Sequence, residues 1–151
     1  MLRLSKKMLY AIEAVLDIAY NAGSEPVQSR DITARQGIPK RYLEQALQLL
    51  VRENLLIGVR GPRGGYRLAR ERRRISVGDI VRVVRTIEAK DALNDDAAGS
   101  DLGHKVVRPL WLELHTNLLK QLDTVSVDDL CSRADQAGIE SEGRLKLDYS
   151  I

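Results

Sequence analysis

The chain of 151 residues contains one cysteine, four prolines, two histidines and no phenylalanine, and aromatic residues make up only 4% of it. A single cysteine excludes an internal disulfide and fits a reducing cytoplasm. No apolar run approaches the roughly 18 residues of a membrane span, which excludes a transmembrane helix. The N-terminal "MLRLSKKMLYAIEAVL" is basic and then apolar, in the order of a leader peptide. Glu13 and Asp17 interrupt its apolar part and no small-residue cleavage site follows, so it reads as a first helix. No Ser/His/Asp triad or paired-carboxylate constellation stands out, which argues against an enzyme. Internal repeats and low-complexity tracts are also missing.

What is present has the balance of an ordinary globular domain, 44% hydrophobic and 30% charged. The length suits one domain, or one compact domain with an appended arm. The net charge of +3 is unevenly placed: residues 1–74 carry 15 Lys+Arg against 7 Asp+Glu, and residues 75–151 carry 9 against 14. A basic half followed by an acidic one points to a polyanionic partner, and nucleic acid is the obvious one.

Helical periodicity runs through 5–22, with Ser5 as N-cap and Gly23 as stop. "QSRDITARQG" (28–37) reads as a short helix capped by Ser29 and ended by Gly37. "PKRYLEQALQLLVREN" (39–54) follows, with Pro39 near its first position. Two helices joined by a glycine-containing turn make a helix-turn-helix unit. "VRGPRGGYRLAR" (59–70) then supplies a sharp Gly-Pro and Gly-Gly reversal between the half-buried runs "LLIGV" and "YRLA", the signature of a hairpin. A further helix covers 75–88, with Ser76 and Asp79 as a capping box. Residues 89–105 gather Asp, Asn and Gly and read as an acidic flexible loop. A long helix covers 106–125, with Pro109 tolerable only near its start. A short helix begins at Ser126, and the tail from 138 is polar, with "RLKLDY" offering at most some extended structure.

On the 39–54 helix a 100° advance per residue clusters Leu43, Ala46, Leu47 and Leu50 on one side. Arg41, Gln45, Gln48 and Arg52 take the other, flanked by Tyr42 and Glu44. Guanidinium, amide and carboxylate are the groups that pair with guanine, adenine and cytosine edges in the major groove. The glycine-tipped hairpin can meet the duplex backbone through Arg60, Arg63 and Arg67. Together these imply a mainly α fold with a small β-hairpin wing: a winged helix-turn-helix over 1–88, joined by the 89–105 loop to a dimerisation helix and short terminal helix over 106–137, with a tail at 138–151.

"YLEQALQLLVRENLLIGVRGPRGGYRLAR" followed by "ISVGDIV" closely resembles the family of bacterial winged helix-turn-helix transcriptional regulators that includes IscR, NsrR and CymR, the Rrf-two family. The resemblance implies a dimeric regulator, most simply a repressor, acting in the cytoplasm on a palindromic double-stranded DNA operator. Its recognition helix, 39–54, with Lys40 among its DNA contacts, would enter the major groove and its wing would carry Arg60 to the minor groove. Tyr42, Glu44 and Gln45 match positions where the family touches DNA. Ser29 would lie against phosphate, and Gly64 and Gly65 would allow the tip its close approach.

One departure matters. Many members hold an iron–sulfur cluster through three cysteines in the loop before the long helix, and this loop has none, so the chain resembles the cluster-free branch, with no cofactor and with a small-molecule or protein effector. Asp91, Asp95, Asp96, Asp101 and His104 leave a non-cysteine metal site as an alternative, and a winged-helix module docking an acidic protein is another. Cys131 reads as a small buried residue, with Asp128 and Asp129 opposing a thiolate. His115 reads as a helix-surface or interface residue. Val107, Leu110, Trp111, Leu114, Leu118 and Leu122 form an apolar surface too broad for one copy to cover, which implies a two-fold homodimer.

Overall fold

The computed structural model describes residues 5–92 and 99–149, apart from the side chains of 87–92 and 146–149. The core is aliphatic, as a chain without phenylalanine requires. At its centre lies α1 (Lys6–Tyr20), which presents Ala11, Ala14, Val15 and Ile18 to the interior, each 0–1% exposed. The two alanines let neighbouring elements approach closely, and α1 touches α2 (Ser29–Gln36), α3 (Lys40–Arg52) and α4 (Val77–Ala92). Ile32, Leu43, Leu47, Leu50 and Ile80 close over it. Each such side chain contributes about 1.5–3 kcal/mol through removal from water.

A two-stranded antiparallel hairpin follows α3: β1 (Leu56–Val59) pairs with β2 (Gly65–Leu68) in the register Leu56↔Leu68 to Val59↔Gly65. Leu55 and Leu56 anchor its base in the core. A 3-10 turn (Arg72–Arg74) leads into α4. α5 (Arg108–Leu122), α6 (Val127–Gln136) and α7 (Glu142–Tyr149) complete the chain.

α4 and α6 begin side by side. Val77 N–H donates to Val125 O and Val127 N–H to Ile75 O, both at 2.8 Å. Each helix then opens with a reciprocal capping box, Ser76–Asp79 and Ser126–Asp129, whose hydrogen bonds measure 2.9–3.0 Å. The backbone N–H of Ser126, with its hydroxyl, holds the Asp129 carboxyl below the usual carboxylate range. The paired guanidinium of Arg82 does the same for Asp123, accepting partner to Arg82 Nη2 at 2.7 Å. A carboxyl with a depressed native pKa adds stability above its unfolded pKa and loses it as pH falls through the native value. Urea midpoints are therefore expected to fall as pH drops below about 4, and Asp123→Asn to flatten that acid limb. An acid limb as steep in Asp123→Asn as in the native chain would contradict this.

Cys131 lies on α6 and is 3% exposed. Burial pushes its thiol pKa up; Arg72 works against that shift and Asp128 adds to it. Asp129, also expected to oppose the thiolate, is engaged in its capping box instead. Native protein at neutral pH is expected to react with Ellman's reagent only slowly, and rapidly once urea unfolds it. Immediate stoichiometric labelling of the native form would show an exposed thiolate.

Several local expectations need correction. Gln28, not Ser29, occupies the N-cap position of α2, no side chain caps it, and Ser29 is the first helical residue. α1 stops at Tyr20 with Asn21 as C-cap, before Gly23. The acidic stretch 89–105 is helical over much of its described part: α4 continues to Ala92, and residues 101–107 lead into α5 through a wide π turn at Gly103–Val107. There Arg108 N–H bonds Gly103 O. Pro109 follows at once, where its missing N–H is absorbed as the α-helical register begins. The tail forms α7 rather than extended structure. Ser141 Oγ donates to Tyr20 O at 2.6 Å and accepts from Arg144 N–H at 3.3 Å, so one hydroxyl both caps α7 and pins it to the end of α1.

Candidate nucleic-acid interface

The helix-turn-helix is set by a buried carboxylate. The Asp17 side chain is 0% exposed in the middle of α1. It accepts Arg35 Nε at 2.9 Å, Arg35 Nη2 at 2.8 Å and Gln36 Nε2 at 2.8 Å. The hydrogen-bonded Asp17 raises the Arg35 pKa. This fork ties the last turn of α2 to α1. Gly37 then takes the left-handed conformation (φ 66°) that ends α2, and Ile38 is buried beneath the turn. None of Asp17, Arg35 and Gln36 was singled out as a site residue from the sequence. The available signal was a carboxylate between Ala14 and Ile18 on the apolar face of α1.

α3 leaves the turn at Pro39 and buries Leu43, Ala46, Leu47 and Leu50, the face expected from its periodicity. Lys40, Arg41, Glu44, Gln45, Gln48 and Arg52 are exposed. Among the described residues, the side chains of Arg41, Glu44, Gln45, Gln48 and Arg52 make no hydrogen bond or ion pair. A row of donors and acceptors left to water on a helix locked from behind is poised to bond an outside partner. Tyr42 differs from them. It is half-buried, its ring packs 5.6 Å from that of Tyr10, and its hydroxyl donates to Lys7 O at 3.1 Å. Tyr42 thus braces the start of α3 against α1.

The wing is held against the start of α2. Val27 N–H donates to Tyr66 O at 3.0 Å and Tyr66 N–H to Val27 O at 2.8 Å, an isolated bridge that adds a third strand-like segment to β2. A Cβ on Gly65 would collide with the Val27 carbonyl, and one on Gly64 with the Val59 carbonyl. Both glycines, expected to allow close approach to DNA, are thus required by the fold's own packing. At the tip Gln28 Nε2 donates to Pro62 O at 3.4 Å. Arg60 is exposed and, among the described residues, without a hydrogen bond or ion pair. Arg63 is 87% exposed on its side chain and reaches Glu25 only at 3.8 Å. Arg67 does not join them. It is exposed on β2 opposite Ile57, and its Nη2 donates to Ser24 O at 2.7 Å.

Between wing and α2 lies an open cleft of about 670 Å³, bordered by Ser29, Arg30, Val51, Arg60 and Pro62. Ser29 and Arg60, 31 residues apart in sequence, both border it, and the positive end of α2 opens on the same cleft. Arg30, exposed in the first turn of α2, is a cation that sequence reasoning missed; its adjacency to Ser29 in "QSRD" was the signal.

The expected dimer residues Val107, Leu110, Trp111, Leu114 and Leu118 are all exposed, Val107 by 58% and Trp111 by 49%, whereas Leu122 is half-buried. None of the residues of α5 is buried. Leu112, 64% exposed, and Val106, 59% exposed, widen the patch beyond the expected stripe. His115 is half-buried on the same helix.

A helix-turn-helix with an unpartnered polar recognition face, flanked by an arginine-tipped β-hairpin, defines a winged-helix DNA-binding regulator. Residues 4–133 match the Rrf2 family, described as "Iron-dependent Transcriptional regulator". The chain belongs to this family. It is 34% identical over 152 residues to the HTH-type transcriptional regulator IscR of Vibrio vulnificus, covering 99% of this chain and 88% of that one. It is 37% identical over 131 residues to the IscR of Cronobacter sakazakii, covering 85% and 80%. Among solved structures, T. potens IscR superimposes with a TM-score of 0.72 at 33% identity, covering 93% of each chain. CymR, the global cysteine regulator of B. subtilis, gives 0.68 at 27% identity, covering 88% and 98%. No described helix is long and apolar enough to cross a membrane.

The family description implies iron. The residues present do not fit an iron–sulfur cluster held by cysteines: the chain has one cysteine, and Cys131 is buried within α6. No three His, Cys, Asp or Glu residues among the described ones are grouped to hold a metal. His104 instead faces Arg108 at 3.1 Å, and Asp101 pairs with Lys105 at 3.6 Å. The Asp91 side chain, Asp95 and Asp96 lie outside the described residues.

Proposed function

We propose that the protein is a homodimeric regulator, in its simplest form a repressor, that binds a palindromic operator in the cytoplasm. α3 of each subunit lies in a major groove, with Arg41, Gln45 and Gln48 toward guanine and adenine edges and Glu44 toward a cytosine amino group. Arg52 shares this face and Lys40 lies at the start of the helix, and Ser29 and Arg30 meet phosphate at the start of α2. Arg60, with Arg63 beside it, rides the wing into or along the minor groove, where a narrow tract concentrates negative potential. Tyr42 and Arg67 serve by holding α3 and the wing in place. The observation that carries this reading is the unpaired face of α3 on a turn fixed by the Asp17–Arg35 fork. The exposed apolar surface of α5 supports the dimer, because a patch of that extent in water calls for a partner. Two-fold pairing would set the recognition helices about 34 Å apart, one turn of duplex.

Selection of bound fragments from genomic DNA tests the proposal. The expected result is tight retention of palindromic fragments, with log K falling steeply as salt rises. Arg60→Ala is expected to weaken binding, on the order of tenfold for the loss of one charge-assisted contact. Glu44→Ala is expected to shift base preference at one operator position with a smaller change in affinity. Weak retention indifferent to sequence would remove the basis for the proposal.

A further inference from the structure

A second cleft, of about 490 Å³, lies behind the wing between β2, the end of α1 and the start of α7. Ile18, Ala19, Val27 and Leu68 give it an apolar floor, and Arg67, Arg70, Arg72 and Arg144 stand around it. Three of these arginines are engaged: Arg67 with Ser24 O at 2.7 Å, Arg72 with Asp128 at 2.7 Å and Arg144 with Asp135 at 3.3 Å. Arg70 is exposed and, among the described residues, has no hydrogen bond or ion pair. The two carboxylates that also border the cleft are directed to arginines that do not: Glu25 to Arg63 at 3.8 Å and Glu71 to Arg73 at 2.6 Å. The cleft therefore offers a hydrocarbon-lined floor with an uncompensated guanidinium at its rim. That combination suits a ligand with an apolar body and one carboxylate.

We propose that this cleft binds a small organic acid, whose carboxylate is held by Arg70 and whose hydrocarbon part covers Ala19, Val27 and Leu68. The site would give the regulator an effector. Val27 and Tyr66, the residues of the bridge that holds the wing to α2, both line it. A ligand seated there would bear on the element that presents Arg60 to DNA.

Calorimetric titration of the full chain without DNA tests the site independently of the operator, so its failure and that of the DNA-binding proposal are distinguishable. The probes are hexanoate and phenylacetate, with hexanamide and phenylacetamide as uncharged controls and sulfate and inorganic phosphate as bare anions. The acids are expected to bind, and the amides and bare anions to bind at least about tenfold more weakly, since the site needs both charge and hydrocarbon. Arg70→Ala is expected to weaken acid binding by about tenfold or more, while Arg74→Ala, outside the cleft, leaves it unchanged. Failure of both acids to bind would overturn the proposal. So would equal binding of the amides, binding of sulfate or phosphate as tight as that of the acids, or indifference to Arg70→Ala.

Discussion

Arg35→Met is expected to lower the unfolding free energy by about 3–5 kcal/mol, a large share of the roughly 5–15 kcal/mol available to a domain of this kind. The substitution keeps most of the hydrophobic stem but leaves the Asp17 carboxylate, 0% exposed, with Gln36 as its remaining side-chain partner. A buried charge that has lost its counter-ion keeps its desolvation cost and loses the attraction that offset it. Asp17→Asn is the milder change, expected to cost about 1–3 kcal/mol. The Arg35 side chain is 28% exposed and can turn its charge to water. The asymmetry is the diagnostic feature: the exposed partner tolerates loss of the buried one better than the reverse. Urea unfolding with an unchanged slope measures both. An Arg35→Met variant within about 1 kcal/mol of the native chain would show that the fork does not hold α2.

Leu114→Glu is expected to convert the proposed dimer to a monomer and to weaken binding to a palindromic operator by about 10²- to 10⁴-fold, the avidity that two linked readers gain over one. Leu114 is 43% exposed within one subunit, so a carboxylate there reaches water in the monomer. The same carboxylate placed in an apolar interface between copies of α5 would be buried without a partner. The monomer's helical circular dichroism should therefore match that of the native chain, while sedimentation velocity reports half the mass. A variant that stays dimeric would move the interface away from this part of α5. A native protein that sediments as a monomer would remove the two-fold reading altogether.

Elements whose signals are local were legible in the sequence. The spacing of Leu43, Ala46, Leu47 and Leu50 fixed which side of α3 turns inward, and so which side chains stay exposed to water. Ser76 with Asp79, and Ser126 as a cap, marked helix starts because a capping box is complete within four residues. Glycine and proline around Arg60 and Arg63 marked the wing tip because turn chemistry is local as well. What stayed hidden has the opposite property. Arg67 sits in an arginine-rich stretch, and nothing near it in sequence shows that its guanidinium bonds a carbonyl 43 residues earlier. Residues 142–149 look frayed alone; their helix is started by Ser141, which is held by Tyr20 121 residues away.

By itself the sequence determined the order and type of the main elements, the inward face of α3 and the absence of a cysteine ligand set. Periodicity, capping and composition act over a few residues and need no knowledge of what lies opposite. Only the tertiary structure decided which of the many arginines are free and which are already bonded. It alone brought Asp17 to Arg35, placed Arg30 and Arg60 on the rim of one cleft, and set Arg70 at the rim of an apolar one. A charge acts according to its distance from other charges in space and its access to water, and the folded chain sets both.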